Sequence, residues 1–317
     1  MSFGSLLGNE QLKQNLATSL RRGHVSHFYL ISGPQGSGKH TLARLLAAAM
    51  VCRGEQKPCL SCPDCRKVMA DTHPDFITVD DPEKKTVSVD LIRDARADIY
   101  IQPNEADRKV YLFPRAQDMG LPGQNALLKV LEEPPSYGVF LLLTDNPEKL
   151  LPTVRSRCTE LQLRSLPEDL LRRELQKEFP QADMDAVEAA MARSGGYLGQ
   201  ARAILENGAA LPQQTEDFIR AYAARDALAL MKVLSPMEKW KRDALIEVLN
   251  GWLELLENAL VCRAGMKAAS PGARQIGAAR SSPEIMGAVD ELKKAITYAQ
   301  GNVSPAAICG YLEWALR

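Results

Sequence analysis

The segment Gly33-Pro34-Gln35-Gly36-Ser37-Gly38-Lys39 constrains the fold more than any other. It follows the apolar run His27-Phe28-Tyr29-Leu30-Ile31 and leads into a helical stretch from Thr41 to Cys52. A glycine-rich turn between a buried strand and a helix N-terminus is the context a phosphate-binding loop demands. Gly33, Gly36 and Gly38 let main-chain N–H groups turn inward, the helix adds its positive end, and the Lys39 ammonium reaches toward β- and γ-phosphates. The last motif position departs from the pattern. The Ser or Thr hydroxyl that would hold magnesium is replaced by His40, with Thr41 one place late. Consecutive helical residues point about 100° apart, so Thr41 does not take over that duty. The loop is expected to keep an ATP cradle and to hold magnesium poorly.

Four more short apolar runs, Asp75 to Val79, Lys109 to Phe113, Val139 to Leu143 and Glu160 to Leu163, read as buried parallel strands. They alternate with helical stretches such as Val89 to Ile99 and Gln124 to Glu133, which predicts a wound α/β domain over residues 1–165. At 317 residues the chain is long for one domain. After Leu166 the strand signal stops. Helices at Glu168 to Phe179, Met184 to Ser194 and Gly199 to Glu206 make a small helical domain over 166–208, and a second helical domain fills 209–317. In the latter, Leu245, Val248, Leu249, Trp252, Leu255, Leu256 and Ala259 form one apolar face, interrupted by Gly251. The Ala-, Gly- and Ser-rich stretch Gly265 to Pro283 reads as an exposed loop.

Lys+Arg and Asp+Glu both number 39, so no net charge draws the chain toward nucleic acid or an anionic bilayer. Any DNA contact is local or made through partners. No run approaches the roughly 20 apolar residues of a membrane helix, and the N-terminus has no leader pattern, so a cytoplasmic protein without membrane contact is expected.

Cys52, Cys59, Cys62 and Cys65 follow the spacing C-x6-C-x2-C-x2-C. Short x2 spacings converge thiolates on one ion, and four sulfurs suit a closed tetrahedral zinc site, here a structural module over about residues 50–72. An iron–sulfur cluster would use the same four ligands, but no other feature provides for redox chemistry. Cys158, Cys262 and Cys309 are scattered and read as small buried apolar residues.

ATP hydrolysis needs a carboxylate at the end of a neighbouring strand. Here the strand ending at Phe113 runs into Pro114-Arg115-Ala116-Gln117-Asp118, a proline and a cation where acids belong, with Asp118 read as a helix cap. Nucleotide binding without turnover is the expectation.

The loop, the cysteine module, Thr72-His73-Pro74-Asp75, Val89-Asp90-Leu91-Ile92-Arg93, the run from Asn125 to Pro135 (NALLKVLEEPP) and Ser156-Arg157-Cys158 occur in this order. Over residues 1–205 the chain thereby resembles bacterial clamp-loader subunits, the AAA+ proteins of the DNA polymerase III holoenzyme, a nucleotidyltransferase complex. The resemblance implies an AAA+ wound sheet with an inserted zinc module, a small helical lid and a C-terminal helical collar. It also implies gamma/tau and delta subunits as partners, with sliding clamp and primed DNA met through the complex. Within the family it favours the delta-prime stator over the gamma/tau ATPase. The gamma/tau type carries a hydroxyl after the loop lysine, an acidic pair after the third strand and a second-sensor arginine; Gly199 stands at that last position, with Arg202 nearby. Thr144 matches the first sensor. Arg157 matches the family's arginine finger, which acts in trans on ATP bound by the neighbouring subunit. Two other readings stay open: an active gamma/tau-type ATPase with unusual motifs, and a zinc-containing nucleotide-binding module outside replication.

Overall fold

The structure, a computed structural model, describes residues 3–206, 211–265, 270–301 and 303–316. The first half alternates as the sequence predicts: α1 (Glu10–Arg21), β1 (Phe28–Ser32), α2 (Lys39–Val51), α3 (Pro63–Met69), β2 (Phe76–Thr78), α4 (Val89–Asp98), β3 (Lys109–Phe113), α5 (Leu121–Glu132), β4 (Gly138–Thr144), α6 (Pro152–Arg155) and β5 (Thr159–Gln162). The strands form one parallel sheet in the order β2-β3-β4-β1-β5.

Alternate side chains of the strands feed two apolar layers. Tyr29, Ile31, Val110, Leu112, Leu141 and Leu143 pack with Leu42, Leu45 and Leu46 of α2. On the other face Phe28, Leu30, Tyr111, Phe113, Phe140 and Leu142 meet Ile92 of α4 and Leu127 and Val130 of α5. Phe140 stacks on Phe28 and Tyr111 at centroid separations of 4.8 and 5.2 Å. β1, β3 and β4 are buried at every position, as strands covered on both faces should be. β5 is not: it is an edge strand in which only Leu161 is buried, while Thr159, Glu160 and Gln162 face solvent. Because β1 lies between β4 and β5 while the chain continues from it to the far edge, the strand order reverses at its C-terminal end, where wound α/β sheets form their ligand crevice.

The rest is helical: α7 (Glu168–Glu178), α8 (Met184–Arg193), α9 (Leu198–Glu206), α10 (Gln213–Ala224), α11 (Ala227–Leu234), α12 (Arg242–Arg263), α13 (Pro271–Ala279), α14 (Ser282–Gln300) and α15 (Pro305–Ala315). The chain resolves into two compact units. One comprises residues up to Leu171 together with Tyr197–Gln200; the other comprises Arg172–Gly196 and everything from Ala201 onward. At the centre of the second, the fully buried Trp252 stacks on Phe218 at 4.1 Å and donates its indole N–H to Thr215 Oγ1 at 3.3 Å. The buried helix face includes Leu245, Leu249, Trp252, Leu255, Leu256 and Ala259 as predicted, with Val248 partly buried beside it.

Besides the exposure of β5, which the sequence predicts to be buried, two sequence expectations fail here for physical reasons. Gly251 does not interrupt α12, because it sits on the exposed face with nothing within 4 Å of a Cβ position, so it costs only helix propensity, about 1 kcal/mol. The stretch read as a loop contains α13, started by Ser270, whose hydroxyl accepts the Ala273 N–H at 3.1 Å, with Pro271 in the first turn. Its glycine serves close packing: a Cβ on Gly272 would lie 2.5 Å from Ile219. Residues 266–269 of that stretch, and the 208/209 boundary, lie outside the described residues.

Candidate functional site

The loop leaves β1 at Ser32 and is tied to the next strand by Gly33 N–H donating to Thr144 O at 3.2 Å. Gly36 and Gly38 have φ of 74° and 94°, which only glycine adopts without strain. Lys39, the first residue of α2, is buried and donates through Nζ to Gly33 O at 2.5 Å and Pro34 O at 2.8 Å. Its ammonium is thus turned onto the loop's own carbonyls. Burial lowers the Lys39 pKa, with the charge of Asp145 at the end of β4 opposing the shift. His40 is exposed by surface area, yet its ring is crowded enough that desolvation, then Arg44 and Lys39, depress its pKa against the pull of Asp80. A neutral imidazole offers magnesium nothing equivalent to the missing hydroxyl.

The place of the missing acid is filled by a cation. Arg115, just past β3, binds Asp80 through Nε (3.1 Å) and Nη2 (2.6 Å), and donates to Asp81 O (2.9 Å) and Lys84 O (3.0 Å). The hydrogen bond to Asp80 raises the Arg115 pKa further. Asp80, the carboxylate that follows β2, is therefore committed to an ion pair. Asp118 is not a helix cap: it ends a short 3-10 turn, its carboxylate lies 3.9 Å from Arg115, and its carbonyl accepts Val87 N–H. Thr144 is fully buried and accepts the Asn146 N–H, holding the turn after β4.

The loop also carries a main-chain contact from far along the sequence. Gly199 N–H donates to Gly36 O at 3.0 Å, and a Cβ on Gly199 would lie 2.6 Å from Gly36 Cα. At position 199 this backbone approach leaves room for no side chain. Arg202 is paired with Glu178, which raises its pKa.

The four cysteine sulfurs lie within 4.8 Å of one another. The turns that converge them are N–H···S bonds: Gly54 to Cys52, Cys62 to Cys59 and Cys65 to Cys62, at 3.3–3.4 Å. The Cys59 thiol is pulled down to about 6 by hydrogen bonds from Ser61 and from the Cys62 N–H, whereas burial pushes Cys52 and Cys65 up. N–H donors that stabilise thiolate, together with buried thiols that need a cation to ionise, fit a tetrahedral metal centre. A second cluster, Asp64, His73 and Glu105, also lies within 4.8 Å. It is a poor metal site. His73 Nδ1 accepts the Asp75 N–H at 3.0 Å, so the proton sits on Nε2, a donor facing Asp64 at 3.9 Å, and Glu105 is paired with Lys67.

Arg157 is exposed. Nη1 donates to Thr153 O at 3.0 Å and Nη2 to Glu132 Oε1 at 3.2 Å. It stands far in sequence from the phosphate loop and makes no hydrogen bond to it among the described residues. The residues expected to bind phosphate and the one expected to act catalytically are separate devices.

The sequence family described as DNA polymerase III, delta subunit, matches residues 8–167, half of the chain. The chain belongs to this family. It is 33% identical over 200 residues to DNA polymerase III subunit gamma/tau of Mycobacterium tuberculosis, an alignment covering 62% of this chain and 35% of that one. It is 37% identical over 182 residues to DNA polymerase III subunit delta' of Pseudomonas aeruginosa, covering 55% of this chain and 54% of the relative. The chain thus spans about a third of the gamma/tau relative and about half of the delta' relative. A solved DNA polymerase III gamma subunit-related protein from Thermotoga maritima superposes with a TM-score of 0.44 at 18% identity, covering 95% of this chain and 99% of that one.

The sequence did not reveal the roles of two buried polar residues, Asp75 and Gln124. Asp75, fully buried, closes Thr72-His73-Pro74-Asp75 onto the loop before β3: its carboxylate accepts main-chain N–H groups of Asn104 (2.6 Å), Glu105 (2.7 Å) and Ala106 (2.8 Å). Gln124, also buried, joins α5 to the segment before α6. For Asp75 the signals were its place in Thr72-His73-Pro74-Asp75 and a carboxylate at the head of an apolar run; for Gln124 there was none beyond a polar residue on an apolar helix face.

Burial opposes ionisation of Asp75, but the N–H donors outweigh it and its folded pKa lies below the ordinary value. Its contribution is therefore present above the unfolded pKa of about 3.9 and lost as pH falls through the folded value. Asp75→Asn is expected to cost about 2–4 kcal/mol at pH 7, with a smaller difference at pH 3, by urea denaturation. An equal cost at both pH values would contradict this account.

Proposed function

We propose that this chain is a delta-prime-like stator of the bacterial clamp loader, working in the cytoplasm with gamma/tau and delta subunits to place a sliding clamp on primed DNA. The observation that carries the reading is the pairing of Arg115 with Asp80 where an ATPase keeps a free carboxylate, beside an intact Ser156-Arg157-Cys158 turn that presents an exposed arginine. The groups that would split ATP are replaced, while the arginine a neighbour would use is kept. A guanidinium suits a trans role because it is always charged and grips phosphate oxygens through two donors. The glycine loop and Lys39 are compatible with bound nucleotide, and without a hydroxyl and an acid such binding is unproductive.

Cys52, Cys59, Cys62 and Cys65 would hold a structural zinc, with no ligand position left open for chemistry. A gamma/tau-type ATPase is the second reading, favoured by the 33% identity to gamma/tau and opposed by His40 and Arg115.

For the metal, elemental analysis is expected to give about one zinc per chain, and Cys62→Ser to lower thermal stability together with zinc content. Metal-free protein of undiminished stability would remove the assignment. For the trans role, Arg157→Ala is expected to leave folding and assembly intact while lowering clamp- and DNA-stimulated ATPase of the assembled loader. One finger is worth about 10³ or more at its own site, but other sites keep theirs, so the total falls partly. Unchanged turnover with the mutant chain demonstrably in the complex would make Arg157 a surface residue.

A further inference from the structure

Helix α5 grips the arginine segment at both ends. Near its start, Gln124 donates through Nε2 to Lys149 O at 3.2 Å and Met119 O at 2.9 Å, and its Oε1 accepts the Leu151 N–H at 2.7 Å. Two of these three hydrogen bonds, to Lys149 O and from Leu151 N–H, fix where the chain enters α6, and the third holds the amide against the turn before α5. Val154, fully buried, pins the turn to the layer that contains Leu127 and Val130 of α5. At the far end, Glu132 is the last residue of α5, where a helix disfavours an acid because its own carbonyls already concentrate negative charge. That carboxylate accepts from Arg157 Nη2, and the guanidinium's other arm is on Thr153 O.

We infer that Glu132 is a positioning residue for Arg157. The negative end of α5 and the Glu132 carboxylate draw the guanidinium into one orientation, on a turn that Gln124 and Val154 already hold, so the arginine is set before a neighbour's phosphate arrives. Fixing a long, rotamer-rich side chain in advance spares the transition state that ordering cost. The pair is exposed, with side-chain exposures of 39% and 57%, so its effect is on orientation rather than on fold stability. The inference rests on the trans-acting role proposed above.

The test compares Glu132→Ala, Glu132→Gln and Arg157→Ala chains in the assembled loader under saturating clamp and primed DNA, resolving kcat from KM. Motion of the Arg157 Nε–H is followed in each isolated full-length chain by nitrogen-15 relaxation. Glu132→Ala is expected to lower kcat about two- to fivefold, the factor an exposed ion pair supports, with KM unchanged and Arg157 more mobile. Glu132→Gln, whose amide oxygen still accepts, should recover most of both. Unchanged kcat and unchanged Arg157 motion in Glu132→Ala would overturn the inference, and a rise in kcat would too, since the pair would then restrain the arginine. If Arg157→Ala lowers turnover and Glu132→Ala does not, only the positioning role falls. If Arg157→Ala itself changes nothing, the trans role fails and this inference with it.

Discussion

Everything in the first unit hangs on the pairing of β1 on both of its sides. Five residues, Phe28 to Ser32, are matched to Phe140–Thr144 of β4 and four of them to β5, and both ladders extend past the strand end through Gly33 N–H to Thr144 O and Leu163 N–H to Ser32 O. A loop with two left-handed glycines has no stability of its own; it is held because its first residue is stitched to the sheet and its last begins a helix buried along most of its length. The same stitching brings the ends of β3 and β4 beside the loop, so what those ends carry decides the chemistry available there.

They carry the wrong charges for hydrolysis. An ATPase site sets a lysine, a hydroxyl and free carboxylates around magnesium. Here the lysine bonds loop carbonyls, an imidazole follows it, Arg115 consumes Asp80, and the backbone of Gly199 rests against Gly36. These departures agree with one another. On the reading proposed above, an arginine in place of the acid leaves a hydroxyl ligand and an arginine at position 199 with less to do. The arginine at 157, by contrast, sits on a turn anchored by a buried amide and a buried valine, an arrangement in keeping with the trans role proposed for it.

What was legible in the sequence was local and chemical. The glycine loop, the cysteine spacing and the central strands have strong one-dimensional signatures, because turns, chelation and burial on two faces leave little freedom in residue choice. Edges and pairings were not legible. β5 carries one apolar residue among Thr159, Glu160 and Gln162, a pattern that fits an exposed strand, but its place at the sheet edge follows from topology. Gly and Ala in Pro271–Ala279 carry the composition of a loop and act as small residues for close helix packing, a distinction only the neighbour Ile219 reveals. Asp75, Gln124 and the Arg115–Asp80 pair each join segments distant in sequence, and a single sequence holds no record of such pairs.

The central claim is that this phosphate loop has lost hydrolysis through its surroundings while keeping its form. Magnesium-dependent ATP turnover by the isolated full-length chain, free of contaminating loader subunits, tests it most directly. The account predicts no turnover above background, whether or not nucleotide binds. Turnover near 1 s⁻¹ or faster, roughly the lower range of working phosphoryl-transfer enzymes, abolished by Lys39→Ala, would contradict it.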